Sequence, residues 1–574
     1  MKNHEIAEIF NNIADLLEIK GENPFRIRAY RRAAMNIEAF SKDVAETSKI
    51  ELLKIPGIGE DLAGKINEYI RTGRLQFYED LKREVPEGLS ILLSVPGLGP
   101  KTAKLLFERL KIKDLNDLER HALNHKLSRL PGIKEKTEEN ILKGIEMLKR
   151  GMERQPLGKV LPIANDIYEY LKNKAPVNRI SIAGSIRRWK DTIKDIDILA
   201  TSGDSKTVMN VFIHMPHVKD IIMHGPTKSS IIIHEGLQVD LRVVEEDSFG
   251  AALAYFTGSK THNIRLREMA SKFGMKINEY GIYREKDDKK LGGKEEEDIY
   301  NLLGLPYIPP ELREDTGEIE AALEHRLPKL IELHDIQGDL HVHTKRSDGS
   351  HDFDELIEEA KKRGYKYIAI TDHSKGLGIA RGLTVERLME EKKEIEALNK
   401  KLRGFKLISG TEVDVKSNGE LDFADEVLKE MEIVVASIHS GFRQSKSQIT
   451  KRLISAMKNP YVSIIAHPTG RLIGEREPYD VDIEEIFKAA KETKTVLEIN
   501  AYPLRLDLND VYAKKAKEMG IPLVICTDTH ITSQFDYMSY GVSIARRGWL
   551  EKKDVLNTLS YEMVLRRMKK GVLK

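Results

Sequence analysis

Thiol chemistry is all but missing from this sequence: Cys526 is the one cysteine among 574 residues, which excludes an internal disulfide and a cysteine-based zinc knuckle and fits a reducing compartment. Long apolar runs are missing as well. No stretch is apolar enough to cross a bilayer, and MKNHEIAEIFNNIADLLEI mixes charge with helical apolar spacing, so neither signal peptide nor anchor is read there and a cytoplasmic location is expected. A dominant sign of charge is the third absence. With 93 Lys and Arg against 91 Asp and Glu, the net charge is +2, so binding to any polyanion must come from local patches. Abundant, balanced Lys and Glu resemble a thermophile's composition. A content of 40% hydrophobic and 32% charged residues is that of a globular protein. At roughly 150 residues per core, the chain is long enough for about four domains.

Residues 1 to about 150 read as helices only, punctuated three times: IPGIGEDLAGKI at 55–66, VPGLGPKTAKLL at 95–106 and LPGIKEKTEENI at 130–141. Pro-Gly-hydrophobic-Gly between amphipathic helices makes a tight turn, and Gly57, Gly59, Gly97 and Gly99 let a DNA phosphate approach the backbone N–H groups. The following helix adds the partial positive charge of its N-terminus, which grips phosphate without reading sequence. In the third copy Lys134 stands in place of the second glycine, so a weaker grip is expected. Aligned on their prolines, the copies place Lys65 opposite Leu105 and Asn140. A lysine amine near an abasic sugar can form a Schiff base and eliminate a 5′-deoxyribose phosphate. PFRIRAYRRAAMNI (24–37) sets Arg26, Arg28, Arg31 and Arg32 around Tyr30, a basic face with one aromatic that suits a 5′-phosphate and sugar.

From about 160 strands alternate with helices, and AGSIRRWKDTIKDIDIL (183–199) carries the strongest single motif. Gly184 and Ser185 form a turn that offers an N–H and a hydroxyl to phosphate, followed by Arg187 and Arg188. Asp195 and Asp197 project from one face of the next strand because side chains there repeat every two residues, and Asp240 in LQVDLRVV is expected from a neighbouring strand. Three acids on one face repel unless cations neutralise them. Two Mg²⁺ (or Mn²⁺) ions are therefore expected, activating a 3′-hydroxyl and stabilising leaving pyrophosphate.

Beyond GLPYIPPEL (304–312) and a charged segment, a regular strand and helix alternation runs from about 336 to 550. Apolar runs there end repeatedly in metal-competent side chains: His341 and His343, Asp372 and His373, Glu412, His439, His467, Asn500, and Asp528 with His530. Asp348 follows in a Ser-Asp-Gly loop. Polar residues at the C-terminal ends of seven strands are what a parallel barrel uses to build a site. His341, His343, His373, His439, His467 and His530 with Asp348, Glu412 and Asp528 make nine ligands, enough for up to three Zn²⁺, Mn²⁺ or Fe²⁺ ions and suited to phosphoester hydrolysis.

Gly-Ser followed by Asp-x-Asp and a later Asp resembles the nucleotidyltransferase superfamily, whose members also act on transfer RNA and antibiotics. YFTGSKTHNIRLR (255–267), KINEYGIY (276–283) and GLPYIPPELRE (304–314) narrow the resemblance to the family X DNA polymerases of the polymerase beta kind. The resemblance implies that Tyr255, Phe256 and Gly258 wall off a ribose 2′-hydroxyl, that Asn263 faces the incoming base, that Arg188 with Gly184 and Ser185 takes the triphosphate, and that Arg267 approaches the template. PFRIRAYRRAA and the first hairpin are similar to that family's lyase domain, and Lys65 matches its Schiff-base lysine, whereas Asp61 replaces a second lysine. Lys194 and Trp189 replace glycines of the family near the triphosphate. The order of the strand-end motifs resembles the polymerase and histidinol phosphatase (PHP) domain.

The fold expected is multidomain: an all-α helix-hairpin-helix region, an α/β nucleotidyltransferase palm and a C-terminal parallel (β/α)7-type barrel. Its parts are 1–80 lyase-like, 81–150 a second hairpin unit, 151–246 the palm, 247–315 the nucleotide-selecting subdomain, 316–335 a linker and 336–574 the PHP domain. The function expected is gap filling on gapped or nicked DNA with dNTPs, by a monomer. A 3′–5′ exonuclease, or an abasic-site endonuclease or 3′-phosphatase, is expected of the PHP domain. The rival readings are a non-catalytic DNA-repair scaffold and a nucleotidyltransferase with a non-DNA substrate.

Overall fold

The computed structural model describes residues 3–38, 44–53, 55, 57–84, 92, 95, 98, 100–112, 114–149 and 154–568. Gly97 and Gly99 lie outside the described residues. The N-terminal part is helical, with helices that include Asn3–Lys20, Pro24–Glu38, Glu60–Thr72, Pro100–Leu110 and Glu135–Lys149. One apolar core runs through it, from Phe10 and Tyr30 through Ile66 to Leu106 and Ile145, so the two hairpin units share their packing.

The palm is a five-stranded sheet in the order β2-β4-β7-β6-β5, with β2 Arg179–Ile182, β4 Asp195–Thr201, β5 Val218–His224, β6 Lys228–Ile233 and β7 Gln238–Val244; β1 Gln155–Pro156 and β3 Thr192–Ile193 pair beside it. In β7, and in β4 as far as Ile198, alternate residues are buried, which presses Ile196, Ile198, Val239 and Leu241 onto the helices behind and turns Asp195 and Asp197 of β4 and the even-numbered positions of β7 outward. β4 and β7 run parallel and bring Asp197 level with Asp240. Register therefore delivers all three acids to one face.

The next subdomain joins helices Phe249–Thr257 and Lys260–Lys272 to the antiparallel strands β8 Met275–Asn278, β9 Gly281–Arg284 and β10 Lys290–Gly292. It is locked to the palm by buried charge. Arg313 has no exposed surface and donates to Glu296 at 2.6 Å, and Arg187 grips the same carboxylate at 2.7 and 2.8 Å. These cations hold Glu296 down at about 2, although burial opposes its charge. The segment 316–335 is packed down rather than extended: Glu318 in helix Glu318–Leu323 is fully buried, lies 2.7 Å from His262 Nδ1 and accepts the N–H groups of Asp315 and Thr316.

The C-terminal part is a barrel of seven parallel strands in sequence order: β11 Gly338–Val342, β12 Tyr367–Ile370, β13 Lys406–Asp414, β14 Ile433–Ser437, β15 Ile464–Ile465, β16 Val496–Asn500 and β17 Leu523–Cys526. A bridge between Val342 and Thr529 links first strand to last. Being covered on both sides, the strands are almost wholly buried. Cys526 is free and buried within β17. No helix among the described residues is long and apolar enough to cross a membrane.

Because Arg313 is fully buried and is one of the two cations on the buried Glu296 carboxylate, Arg313→Leu is expected to cost about 3–5 kcal/mol, the usual effect of breaking a buried pair from one side. Thermal unfolding of the variant checks this. Glu296→Leu added to it should recover part of the loss, and an unchanged transition in the single variant would sink the assignment.

Candidate active sites of the palm and the barrel

On the palm face Asp195, Asp197 and Asp240 are half-buried side by side on β4 and β7. Burial, Asp195 and Asp240 together push the Asp197 carboxyl up to about 7, and burial with Asp240 raises that of Asp195. Arg242 and Arg188 oppose the shift of Asp197, and Lys194 and Arg154 that of Asp195, without cancelling either. Divalent cations are the complement that three crowded carboxylates fit. Gly184 closes the approach from one side: its φ is +63°, and a Cβ there would sit 2.2 Å from Asp197 Oδ2, so only glycine permits this turn. Ser185 is half-buried in the same turn.

Around this face the structure gathers the other polymerase-like positions. Tyr255 and Phe256 meet edge to face at 5.1 Å, and the Arg242 guanidinium lies 4.3 Å over the Phe256 ring. Gly258, at φ +71°, leaves 3.2 Å for Arg188 Nη1 at the place where a Cβ would stand. Arg188 donates to the Thr257 carbonyl and, at 3.0 Å, to Glu314. Asn263 spends its amide on the Tyr255 carbonyl at 2.7 Å, and the exposed Arg267 turns back to the Asn263 carbonyl at 3.3 Å.

In the helical part, Gly57 has φ +82° and Gly59 caps helix Glu60–Thr72 with open space where its Cβ would be. Tyr30 is not on the basic surface: at 1% exposure it packs between Phe10 (5.5 Å) and Phe77 (6.0 Å). A tyrosine on the inner side of an amphipathic helix goes to the core, and the exposed ring of this helix is Phe25, with Arg28 4.6 Å over it. Arg31 is paired with Asp15 and Glu18, Arg32 with Glu268 and Arg26 with Glu22, which neutralises three of the four arginines of the expected basic face. Lys65 is ion-paired with Asp61 and lies 5.1 Å from the Phe77 ring.

The barrel brings all nine strand-end candidates together. Glu412 is the hub: ring nitrogens of His341, His343, His373, His439 and His467 lie 2.9–3.5 Å from its oxygens. Asp528 lies 3.2 Å from His343 and 3.5 Å from His341, and Asp348 lies 3.3 Å from His530 and 3.5 Å from His373. Three groups of atoms fall within metal-holding reach: His343, Asp348, His373 and His530; His341, His343 and Asp528; His373, Glu412 and His439. His341 Nε2, both ring nitrogens of His343, Glu412 Oε2 and His467 Nδ1 are buried without a hydrogen-bond partner. Buried polar atoms are rarely left so, and a cluster of them at ligand spacing fits divalent metals. Burial and neighbouring cations hold His343 and His467 down at about 4, whereas, against burial, the carboxylates Glu412, Asp348 and Asp528 raise His341, His373, His439 and His530.

Strand-end reading misses the residues that aim these ligands. Glu498 on β16, fully buried, lies 2.7 Å from His341 Nδ1 and accepts the N–H of His467 at 2.7 Å and the Asn500 amide at 3.1 Å. Asp414 accepts the N–H of His439 at 3.1 Å. Glu498 alternates correctly along TVLEIN to face inward, which was the signal available for it. Arg505 lies 3.8 Å from Asp528, and no spacing pattern marks it.

Removing two imidazoles from the cluster should release metal without unfolding the barrel. His341→Ala with His343→Ala is expected to lose at least one equivalent of bound transition metal by elemental analysis, and retention of the full content would mean that the ligands lie elsewhere.

With this geometry in hand, likeness to known proteins can be placed on it. Family models match as DNA polymerase beta thumb over residues 252–314, helix-hairpin-helix domain over 1–75, a SAM-like helix-hairpin-helix tandem over 89–146 and PHP domain over 339–502. The DNA polymerase/3′-5′ exonuclease PolX of Bacillus subtilis is 41% identical over 98% of this chain and 99% of its own. DNA polymerase lambda of Rattus norvegicus is 25% identical over 54% of this chain and 56% of its own. A probable phosphatase of Thermoanaerobacter is 31% identical over 38% of this chain and 89% of its own, a length close to that of the barrel. Two separate centres, one of carboxylates on a palm and one of histidines in a barrel, thus sit on a chain that belongs to the family X DNA polymerases with a C-terminal PHP domain.

Proposed function

We propose that the chain fills short gaps in DNA as a monomeric cytoplasmic repair polymerase and trims or cleans 3′ ends with its PHP domain. The observation that carries this reading is the pairing of Asp197 with Asp240 in register, beside Asp195, on a face ringed by Gly184, Arg188 and the Tyr255–Phe256 pair. On this reading 1–80 and 81–150 hold DNA, 151–246 and 247–315 carry out nucleotidyl transfer, 316–335 joins the two catalytic parts and 336–574 hydrolyses phosphodiesters. Asp195, Asp197 and Asp240 would hold two Mg²⁺ (or Mn²⁺) ions, which supply Lewis acidity at the 3′-hydroxyl and the leaving pyrophosphate. Gly184, Ser185 and Arg188 take the triphosphate, the Tyr255, Phe256 and Gly258 wall meets the sugar, and Asn263 faces the base. Gly57 and Gly59 present backbone N–H groups to phosphates, and Arg267 meets the template.

In the barrel His341, His343, Asp348, His373, Glu412, His439, His467, Asp528 and His530 would hold up to three Zn²⁺, Mn²⁺ or Fe²⁺ ions, which supply a hydroxide at neutral pH. Glu498 fixes the ring of His341 and Asp414 the backbone of His439, while Arg505 offers a cation to the phosphate. The printed name of the Bacillus relative supports a 3′–5′ exonuclease as the main activity here.

Replacing Asp240 by Asn removes a palm carboxylate at nearly unchanged volume. Primer extension on gapped DNA should fall by more than about a hundredfold, beyond the usual effect of altering a ligand's outer partner, with degradation of single-stranded DNA intact. Wild-type extension by this variant would show that the palm assignment is wrong. Lys65 makes a separate expectation: borohydride should trap the wild type, but not Lys65→Ala, on DNA ending in 5′-deoxyribose phosphate. Equal trapping would make the lysine a bystander.

A further inference from the structure

The triphosphate loop of the palm is held down by the barrel. Arg547, at the end of helix Met538–Arg547, is 3% exposed at its side chain. Its Nη1 donates to the Arg188 carbonyl at 2.6 Å and to Glu314 at 3.1 Å, while Nε and Nη2 both donate to Asp510 Oδ2, at 2.9 and 2.6 Å. Glu314 in turn accepts from Arg188 Nε at 3.0 Å. Both the backbone and the side chain of Arg188 are thus tied to one barrel guanidinium, directly and through one carboxylate.

Neighbouring residues repeat the pattern. Trp189 sits at φ +54°, a conformation that costs an aromatic residue free energy, and its ring meets Tyr540 of the barrel edge to face at 5.8 Å. Asp191 pairs with Arg471 at 3.1 Å, and Arg471 also donates to the carbonyls of Arg505 and Leu506, both at 2.6 Å. Gly158 of the palm lies so close to the barrel that a Cβ would meet Pro503 Cβ at 2.2 Å. Arg187, by contrast, is held inside the polymerase part, by Glu296, Thr257 and Tyr307. Barrel contacts thus reach 188–191, next to the turn that faces the carboxylates, as well as Gly158, Glu311 and Thr316 elsewhere on the polymerase part.

We propose, on the reading that Arg188 takes the triphosphate, that Arg547 and Tyr540 of the PHP domain are positioning residues of the polymerase and set its affinity for the incoming dNTP. An ordinary domain contact predicts a change in stability when it is weakened; a brace on the loop predicts a change in nucleotide binding. A guanidinium fork can span the Arg188 carbonyl, Glu314 and Asp510 at once, and an ammonium cannot. A loop no longer held in its bound geometry must be ordered by the ligand, and that ordering is subtracted from affinity.

The test uses the full chain with Arg547→Lys, which keeps the buried charge, and Tyr540→Ala, which leaves every ion pair in place. Calorimetric titration with Mg²⁺·dATP and steady-state incorporation on a one-nucleotide gap are measured together. The dissociation constant and KM should rise about two- to thirtyfold, the span of couplings carried through packed side chains, with kcat at saturating dNTP within about twofold of wild type. Single-stranded DNA degradation and transition-metal content should stay unchanged. Unaltered affinity and KM in both folded variants, or a fall in kcat alone, overturns the proposal. A wild type that binds Mg²⁺·dATP with the expected variant dependence yet extends no primer would instead sink the polymerase reading and leave the brace standing.

Discussion

Charged and ligating side chains crowded together at strand positions, half-buried in the palm and mostly buried in the barrel, are the condition on which both centres depend. In the palm the repulsion falls among Asp195, Asp197 and Asp240, and it is the parallel register of β4 and β7 that keeps Asp197 and Asp240 level in spite of it. In the barrel Glu412 is surrounded by five imidazoles, and seven strands converging on one rim supply the rigidity. Neither arrangement minimises the energy of the bare chain. Each is complementary to cations, and each is carried by β-structure with apolar residues packed behind it.

The framework spends its own charges differently. Arg313 and Arg187 neutralise Glu296 within the polymerase part, and Arg547 and Arg188 neutralise Asp510 and Glu314 across its junction with the barrel. In these networks every carboxylate has a cation, so they hold geometry, whereas the unbalanced clusters stand ready for ligands. The contrast between balanced and unbalanced buried charge separates structural from catalytic groups better than burial does. Arg313 and His343 are equally inaccessible.

Much of the site was legible because it rests on local periodicity. Asp195 and Asp197 two apart on a strand, Gly184 before them, and histidines at the ends of apolar runs follow from strand geometry alone. The same logic failed for Tyr30: an arginine-rich helix was read as a surface around its aromatic, yet the inner side of the helix buries that ring and leaves Phe25 outside. Charge counting failed for Arg31 and Arg32, whose partners Asp15, Glu18 and Glu268 come from other helices.

By itself, then, the sequence determined the order of the parts, the helical hairpins, the carboxylate strand and the nine candidate ligands at and beside strand ends, because each is written within a few residues at a helix or strand period. Tertiary structure alone decided that Glu498 aims His341 from 157 positions away and that Arg547 reaches Arg188 from 359 away. Contacts between residues so far apart leave no spacing to read. They arise from packing the elements into one body, where a buried hydrogen-bonding group must find a partner wherever the fold brings one.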